Sequence, residues 1–134
     1  MKWEECLNLN IGIVGSRIFP TDDLVLVDRL VDVLPPGTTV VSGGAAGVDR
    51  RAVSRAQVRG LQTEVILPQW DKFGRIAGPI RNKEIVSKSD IVIAFWDGRS
   101  RGTLHTIKRA EQVGKLVLVV RPSGHYQRRI QNDD

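Results

Sequence analysis

The sequence predicts an α/β fold: a Rossmann-like, doubly wound parallel sheet of about five strands with helices on both faces. Three observations predict it. Five short runs are β-branched and almost continuously apolar, as in strands buried on both faces. Four helix candidates with apolar stripes fall between them. Strands and helices alternate along the chain, which selects a parallel sheet with right-handed crossovers.

The first strand is IGIVG (11–15). The first helix spans 21–33: Thr21 is the expected N-cap, Asp22 and Asp23 sit in its first turn, and Pro35-Pro36-Gly37 ends it. The second strand is TTVVS (38–42). The second helix runs from Val48 to Arg59 and stops at Gly60. Its Val48, Ala52 and Ala56 form one stripe, and Arg51, Arg55 and Arg59 the opposite one. TEVIL (63–67) is the third strand, and Gly78 to Ser89 the third helix, with Pro79 in its first turn. DIVIAF (90–95), a helix from Gly102 to Val113 and KLVLVV (115–120) complete the pattern. The expected strand order is 3-2-1-4-5. Residues 1–121 form one domain, and 122–134 a polar tail expected to fray or pack loosely.

Composition narrows the function. The chain of 134 residues is 41% hydrophobic and 26% charged, as in an ordinary globular domain. One cysteine, Cys6, excludes an internal disulfide; it reads as a small buried or half-buried hydrophobe. With His105 and His125 it offers no metal-ligand spacing, so no metal is expected. No apolar run is long enough for a membrane span, and MKWEECLNLN lacks the apolar core of a signal peptide. A reducing, cytoplasmic location is expected. The net charge of +5 favours anionic partners, namely nucleotides or nucleic acid. Self-association is left open, because no leftover apolar stripe diagnoses it.

The chain's unusual residues gather in the loops after strands, where open α/β sheets bind ligands. These loops read GSRIFP, SGGAAGVD, PQWDKFGRIAGPIRN and WDGRSRGT; the opposite turns, PPGT, GLQT, KSD and GK, are ordinary. Gly15, Ser16 and Arg17 offer a close backbone approach, a hydroxyl and a guanidinium that can fork onto phosphate, or else a tight turn and a surface arginine. Gly98, Ser100, Gly102 and Thr103 lie at a helix N-terminus and, with Arg99 and Arg101 beside them, form the main expected phosphate site, or else a plain N-cap. Arg81 and Asn82, one turn into their helix, can face the cleft or solvent. Trp70, Phe73 and Trp96 can stack on a base or pack a rim. The dinucleotide fingerprint, the Walker lysine motif and the nucleophile elbow are absent.

Together GSR, SGGAAGVD, GPIRN and FWDGRSRGT with HTIKRA resemble the YspA-type (formerly DUF2493) branch of the SLOG superfamily. That superfamily joins the DNA-processing protein A family with the lonely-guy phosphoribohydrolases. The resemblance covers about residues 10 to 120. It implies a Rossmann-like domain that binds a nucleotide-derived ligand of AMP or ADP-ribose type as sensor, carrier or processor. It carries over Gly15, Ser16, Arg17, Gly43, Gly44, Gly47, Asp49, Arg81, Asn82, Ser100, Gly102 and Thr103 as site residues, and it names no cofactor. Lonely-guy enzymes place a catalytic glutamate where this chain has Thr106, whose hydroxyl cannot act as a carboxylate base. Asp49 is the substitute carboxylate for an N-glycosidic hydrolase, or else a charge favourable to a helix N-terminus. A third expectation is single-stranded nucleic-acid binding through the Arg51/Arg55/Arg59 stripe.

Overall fold

The computed structural model describes residues 8–129. Cys6 and most of the N-terminal decapeptide lie outside them, as do the last five residues of the expected tail. One sheet organises the domain, with strands β1 (Asn10–Gly15), β2 (Thr39–Ser42), β3 (Gln62–Val65), β4 (Ile91–Phe95), β5 (Leu116–Val120) and β6 (Tyr126–Arg129). The order is β3-β2-β1-β4-β5-β6, the expected order extended by one strand. The first five strands are parallel, and β6 is antiparallel to β5.

Alternation along each strand divides the core in two. Ile11 and Ile13 of β1 and Ile93 and Phe95 of β4 face one side, against α1 (Val25–Val33) and α2 (Val48–Val58). Val14, Val92 and Ala94 face the other side, against α4 (Ala77–Lys88) and α5 (Arg101–Gln112). Ile13, Val40, Val41, Val92 and Val117 are fully buried, which explains why these runs carry no polar alternation. Burying each such side chain stabilises the fold by about 1.5–3 kcal/mol. Phe19, just after β1, packs edge-on to Phe95 with centroids 5.8 Å apart, fixing the first loop against β4.

Helix α2 turns its Val48, Ala52 and Ala56 stripe into the core, as expected. The opposite stripe stays partly exposed to solvent but is not free. Arg51 donates to both carboxylate oxygens of Asp28, at 2.8 and 2.7 Å, and Arg55 to both of Asp32, at 2.7 Å each. Arg59 reaches the Asp32 carbonyl at 3.1 Å. The stripe is the seam between α2 and α1.

Three local expectations are corrected. Thr21 does not cap a helix: Pro20 holds the N-cap position, Thr21–Leu24 form a single turn of 3-10 helix, and α1 begins at Val25. Proline fixes an extended residue there, and the turn closes through Asp23 N–H to the Pro20 carbonyl at 2.9 Å. The stretch after the third strand, expected as a loop, holds α3 (Trp70–Phe73) and a 3-10 turn, Gly74–Ile76. The tail does not fray over its described part. Residues 126–129 pair with β5, and Arg129 bonds to Glu111 of α5 at 2.9 Å. A four-residue polar edge strand carries no apolar signal by which to read it.

Candidate functional site

At the carboxyl ends of β1 and β4, where the strand order reverses, lies a cleft of about 440 Å³. Each end of a central strand feeds it a loop. Gly15, Arg17 and Ile18 come from the loop after β1, Ala45 and Asp49 from that after β2, and Asp97, Arg99 and Ser100 from that after β4. Helix α4 contributes Arg81, Asn82 and Ile85, and α5 contributes Gly102, Thr103 and Thr106. Of the expected residues, Gly15, Arg17, Asp49, Arg81, Asn82, Ser100, Gly102 and Thr103 therefore share one cavity. Ser16, Gly43, Gly44, Gly47, Trp96 and Gly98 do not line it.

Those six have other work. Ser16 is buried beneath the floor, where its hydroxyl accepts the Asp97 N–H at 3.2 Å. Gly43 makes room for side chains: a Cβ there would stand 2.6 Å from the Arg81 guanidinium and 2.9 Å from Asp49 Oδ2. Gly47 has φ 83°, and a Cβ on it would approach the Arg17 carbonyl to 2.9 Å. Gly44 lies against Leu67 and Val65, and Gly98 against Arg121. The glycines after β2 thus admit neighbouring parts of the protein rather than opening the backbone to the cleft. Trp96 turns away, stacking with Arg121 at 5.3 Å and donating its indole N–H to the Ser100 carbonyl at 3.0 Å. Phe73 sits under Lys72, whose Nζ is 5.1 Å from the ring centroid.

Asp49 is 4% exposed and braces two loops. Oδ1 accepts the Gly15 N–H at 3.1 Å and Oδ2 the Ala45 N–H at 3.2 Å. Burial raises its pKa from the ordinary 3.8 to about 6, against the opposing pull of backbone N–H groups and Arg81. Arg81 donates to the Gly43 carbonyl at 2.6 Å and to Asn82 Oδ1 at 3.0 Å. Burial holds its guanidinium below the ordinary value and Arg17 adds to this, while Asp49 opposes it. Arginine nonetheless stays charged. The Asn82 amide donates to the Gly102 carbonyl at 3.3 Å and lies 3.4 Å from His105 Nδ1, so it ties α4 to the start of α5.

The loop after β4 is held by its own carboxylate. Asp97 Oδ1 accepts the N–H groups of Arg99 and Ser100, both at 2.8 Å. Burial pushes Asp97 up, but these N–H groups and the Ser16 hydroxyl outweigh it and hold the carboxyl below its ordinary range. Ser100 caps α5 by accepting the Thr103 N–H at 3.4 Å. Three N–H groups of the expected phosphate loop are therefore already engaged. What this end offers the cleft is the hydroxyls of Ser100 and Thr103 and the exposed Arg99 guanidinium. Arg99, expected as an arginine beside the anion site, lines the cavity; Asp97 was not expected there, and the Asp-x-x-Ser spacing of an N-terminal helix turn is the signal that would have found it.

Comparisons agree with this architecture. The family model for DNA recombination-mediator protein A matches residues 2–72. Gene 61 protein of Mycobacterium phage D29 is 36% identical over 115 residues, covering 79% of this chain and 91% of that protein. Among solved structures, DNA processing protein A (DprA) of Streptococcus pneumoniae superposes with a TM-score of 0.73 at 24% identity, over 84% of this chain. The match takes in only half of that longer chain. DNA processing protein A of Helicobacter pylori, described by its single-stranded DNA binding mode, gives 0.65 at 21% identity, over 90% of this chain and 68% of its own. At those identities the structures establish the fold. Model and phage relative together establish the kinship: this chain belongs to the DNA recombination-mediator protein A family.

Proposed function

We propose that the cleft binds single-stranded DNA by its sugar–phosphate backbone, with Arg17, Arg81 and Arg99 on the phosphates. The observation that carries this reading is the convergence on one cavity of three arginines, two from separate loops and one from α4. Arginine is suited to phosphate because its planar fork donates two parallel hydrogen bonds. The α2 stripe is a poor competitor, since Asp28 and Asp32 already occupy Arg51 and Arg55. Asp97 occupies the Arg99 and Ser100 amides of the β4 loop, so phosphate contact at this end falls to the Arg99 side chain rather than to those amides. Family membership and the stated ligand of the Helicobacter pylori protein support the same choice.

The test is fluorescence anisotropy of labelled oligo-dT against salt. Three phosphate contacts to a single strand give a log–log slope of about −2. Arg17→Ala and Arg99→Ala each flatten the slope by about 0.7. The triple change Arg51→Ala, Arg55→Ala, Arg59→Ala leaves it unchanged. Salt-independent binding, or loss confined to the triple variant, overturns the proposal.

A second reading, a free ligand of AMP or ADP-ribose type, is favoured by the cavity itself. At about 440 Å³, with Val14, Ile18 and Ile85 among its lining, it falls within the size range of small-molecule sites. Thermal stabilisation by AMP, ADP-ribose or NAD that Thr103→Val weakens, without oligonucleotide binding, would select it. A hydrolase finds less support. Both oxygens of Asp49 are held by backbone N–H groups, which suits a brace better than a proton shuttle.

A further inference from the structure

Beside the cleft lies a second feature that the arginines do not use. Trp70 in α3 is 54% exposed, although tryptophan is a costly residue to leave in water. Leu67 and Ile76 nearby are 62% and 59% exposed. The segment from Pro68 to Ile76 also carries Lys72 and Arg75 against one carboxylate, Asp71. Arg75 is exposed and makes no ion pair among the described residues.

Position connects this patch to the cleft. The far edge of the Trp70 indole, Cη2, comes within 3.6 Å of where a Cβ would stand on Gly78. Gly78 precedes Arg81 by three residues and Asn82 by four in α4, so all three lie on neighbouring sides of that helix. The indole therefore sits about one helical turn, roughly 5 Å of rise, before the arginine that reaches into the cavity. On the other side, Leu67 touches Gly44, and the carbonyl of the adjacent Gly43 accepts from Arg81. A strand leaving the cleft past Arg81 meets Trp70 next. An exposed ring with Lys72 and Arg75 close by in the same short segment suits the stacking of unpaired bases.

We propose that Trp70 is a second nucleotide subsite, stacking the base of the residue adjacent to the one held in the cleft, with Arg75 on the intervening phosphate. This rests on the single-stranded DNA reading above and adds a direction to it: the strand exits over α3 and α4 rather than toward β6.

Tryptophan fluorescence tests it, because the chain has only three tryptophans, Trp3, Trp70 and Trp96. In a Trp3→Phe, Trp96→Phe background, oligo-dT should quench the remaining emission, whereas dTMP, which reaches only the cleft, should not. Trp70→Ala should weaken oligo-dT binding about 5- to 150-fold, the range of one lost base stack. Trp70→Phe should restore most of it, and neither change should alter dTMP binding. If Arg17→Ala weakens oligo-dT binding but Trp70→Ala does not, the subsite is refuted and the cleft reading survives. If oligo-dT does not bind at all, both fall. Circular dichroism identical to that of the unchanged protein confirms that Trp70→Ala folds.

Discussion

Replacing Asp49 by asparagine isolates the cost of keeping a charge at the base of the cleft. In the folded protein its carboxyl titrates at about 6 rather than the ordinary 3.8. At about 1.4 kcal/mol per pH unit, the ionised form costs the fold about 3 kcal/mol relative to the protonated form. The sign follows from the raised value. Asp49's favourable contribution is fully present below the unfolded value of 3.8 and is lost as pH rises through about 6. Urea unfolding of wild type and Asp49→Asn, from about pH 7.5 down to about pH 3.5, reads it directly. Asparagine turns an N–H toward a backbone N–H and costs stability, but by an amount that does not depend on pH. The lowered carboxyls of Asp28, Asp32 and Asp97 are common to both proteins and cancel in the difference. Wild-type stability minus variant stability should therefore grow by about 3 kcal/mol on acidification. A flat difference would mean that the backbone N–H groups and Arg81 fully compensate the burial. A difference that shrinks in acid would refute the reasoning outright.

Three further outcomes follow from the geometry. Gly47→Ala forces a side chain into φ 83° and against the Arg17 carbonyl, and should cost about 1–3 kcal/mol, seen as a lower thermal midpoint. Ile13→Ala empties a fully buried position in the central strand and should cost about 2–5 kcal/mol in urea unfolding. Asn82→Ala removes the link from Arg81 to the start of α5, leaving polar groups unsatisfied; about 1–3 kcal/mol should be lost, and oligo-dT affinity should fall with it.

Much of this molecule is legible from residue order, for a physical reason. Strands β1, β2 and β4 are largely buried on both faces, so their apolar runs are nearly unbroken, whereas β3 is a half-exposed edge strand; all five boundaries still fall within about two residues of those read from sequence. Alternation with helices made the sheet parallel; the order 3-2-1-4-5 is one of several such sheets allow. The site was legible as an asymmetry, with glycine, arginine and serine crowding the loops at one edge. What could not be read is pairing across distance. Arg51 and Arg55 look like a free basic face until Asp28 and Asp32, 23 residues earlier, are brought opposite them. Gly43 and Gly47 look like openings for a ligand until Arg81 and the Arg17 backbone fill the space. Helix α3 is four residues long, too short for any period to register.

Strand β6 has a bearing on solubility. Its partner β5, LVLVV, has no charge, proline or glycine in five residues. Left as the outer strand, such a segment would offer an unpaired ladder to any passing chain, the usual start of edge-to-edge aggregation. Pairing with Tyr126–Arg129 replaces that edge with one carrying two arginines and a glutamine. The polar strand thus suits a gatekeeper, and deleting residues from 122 onward should make the domain more prone to precipitate, as read by light scattering.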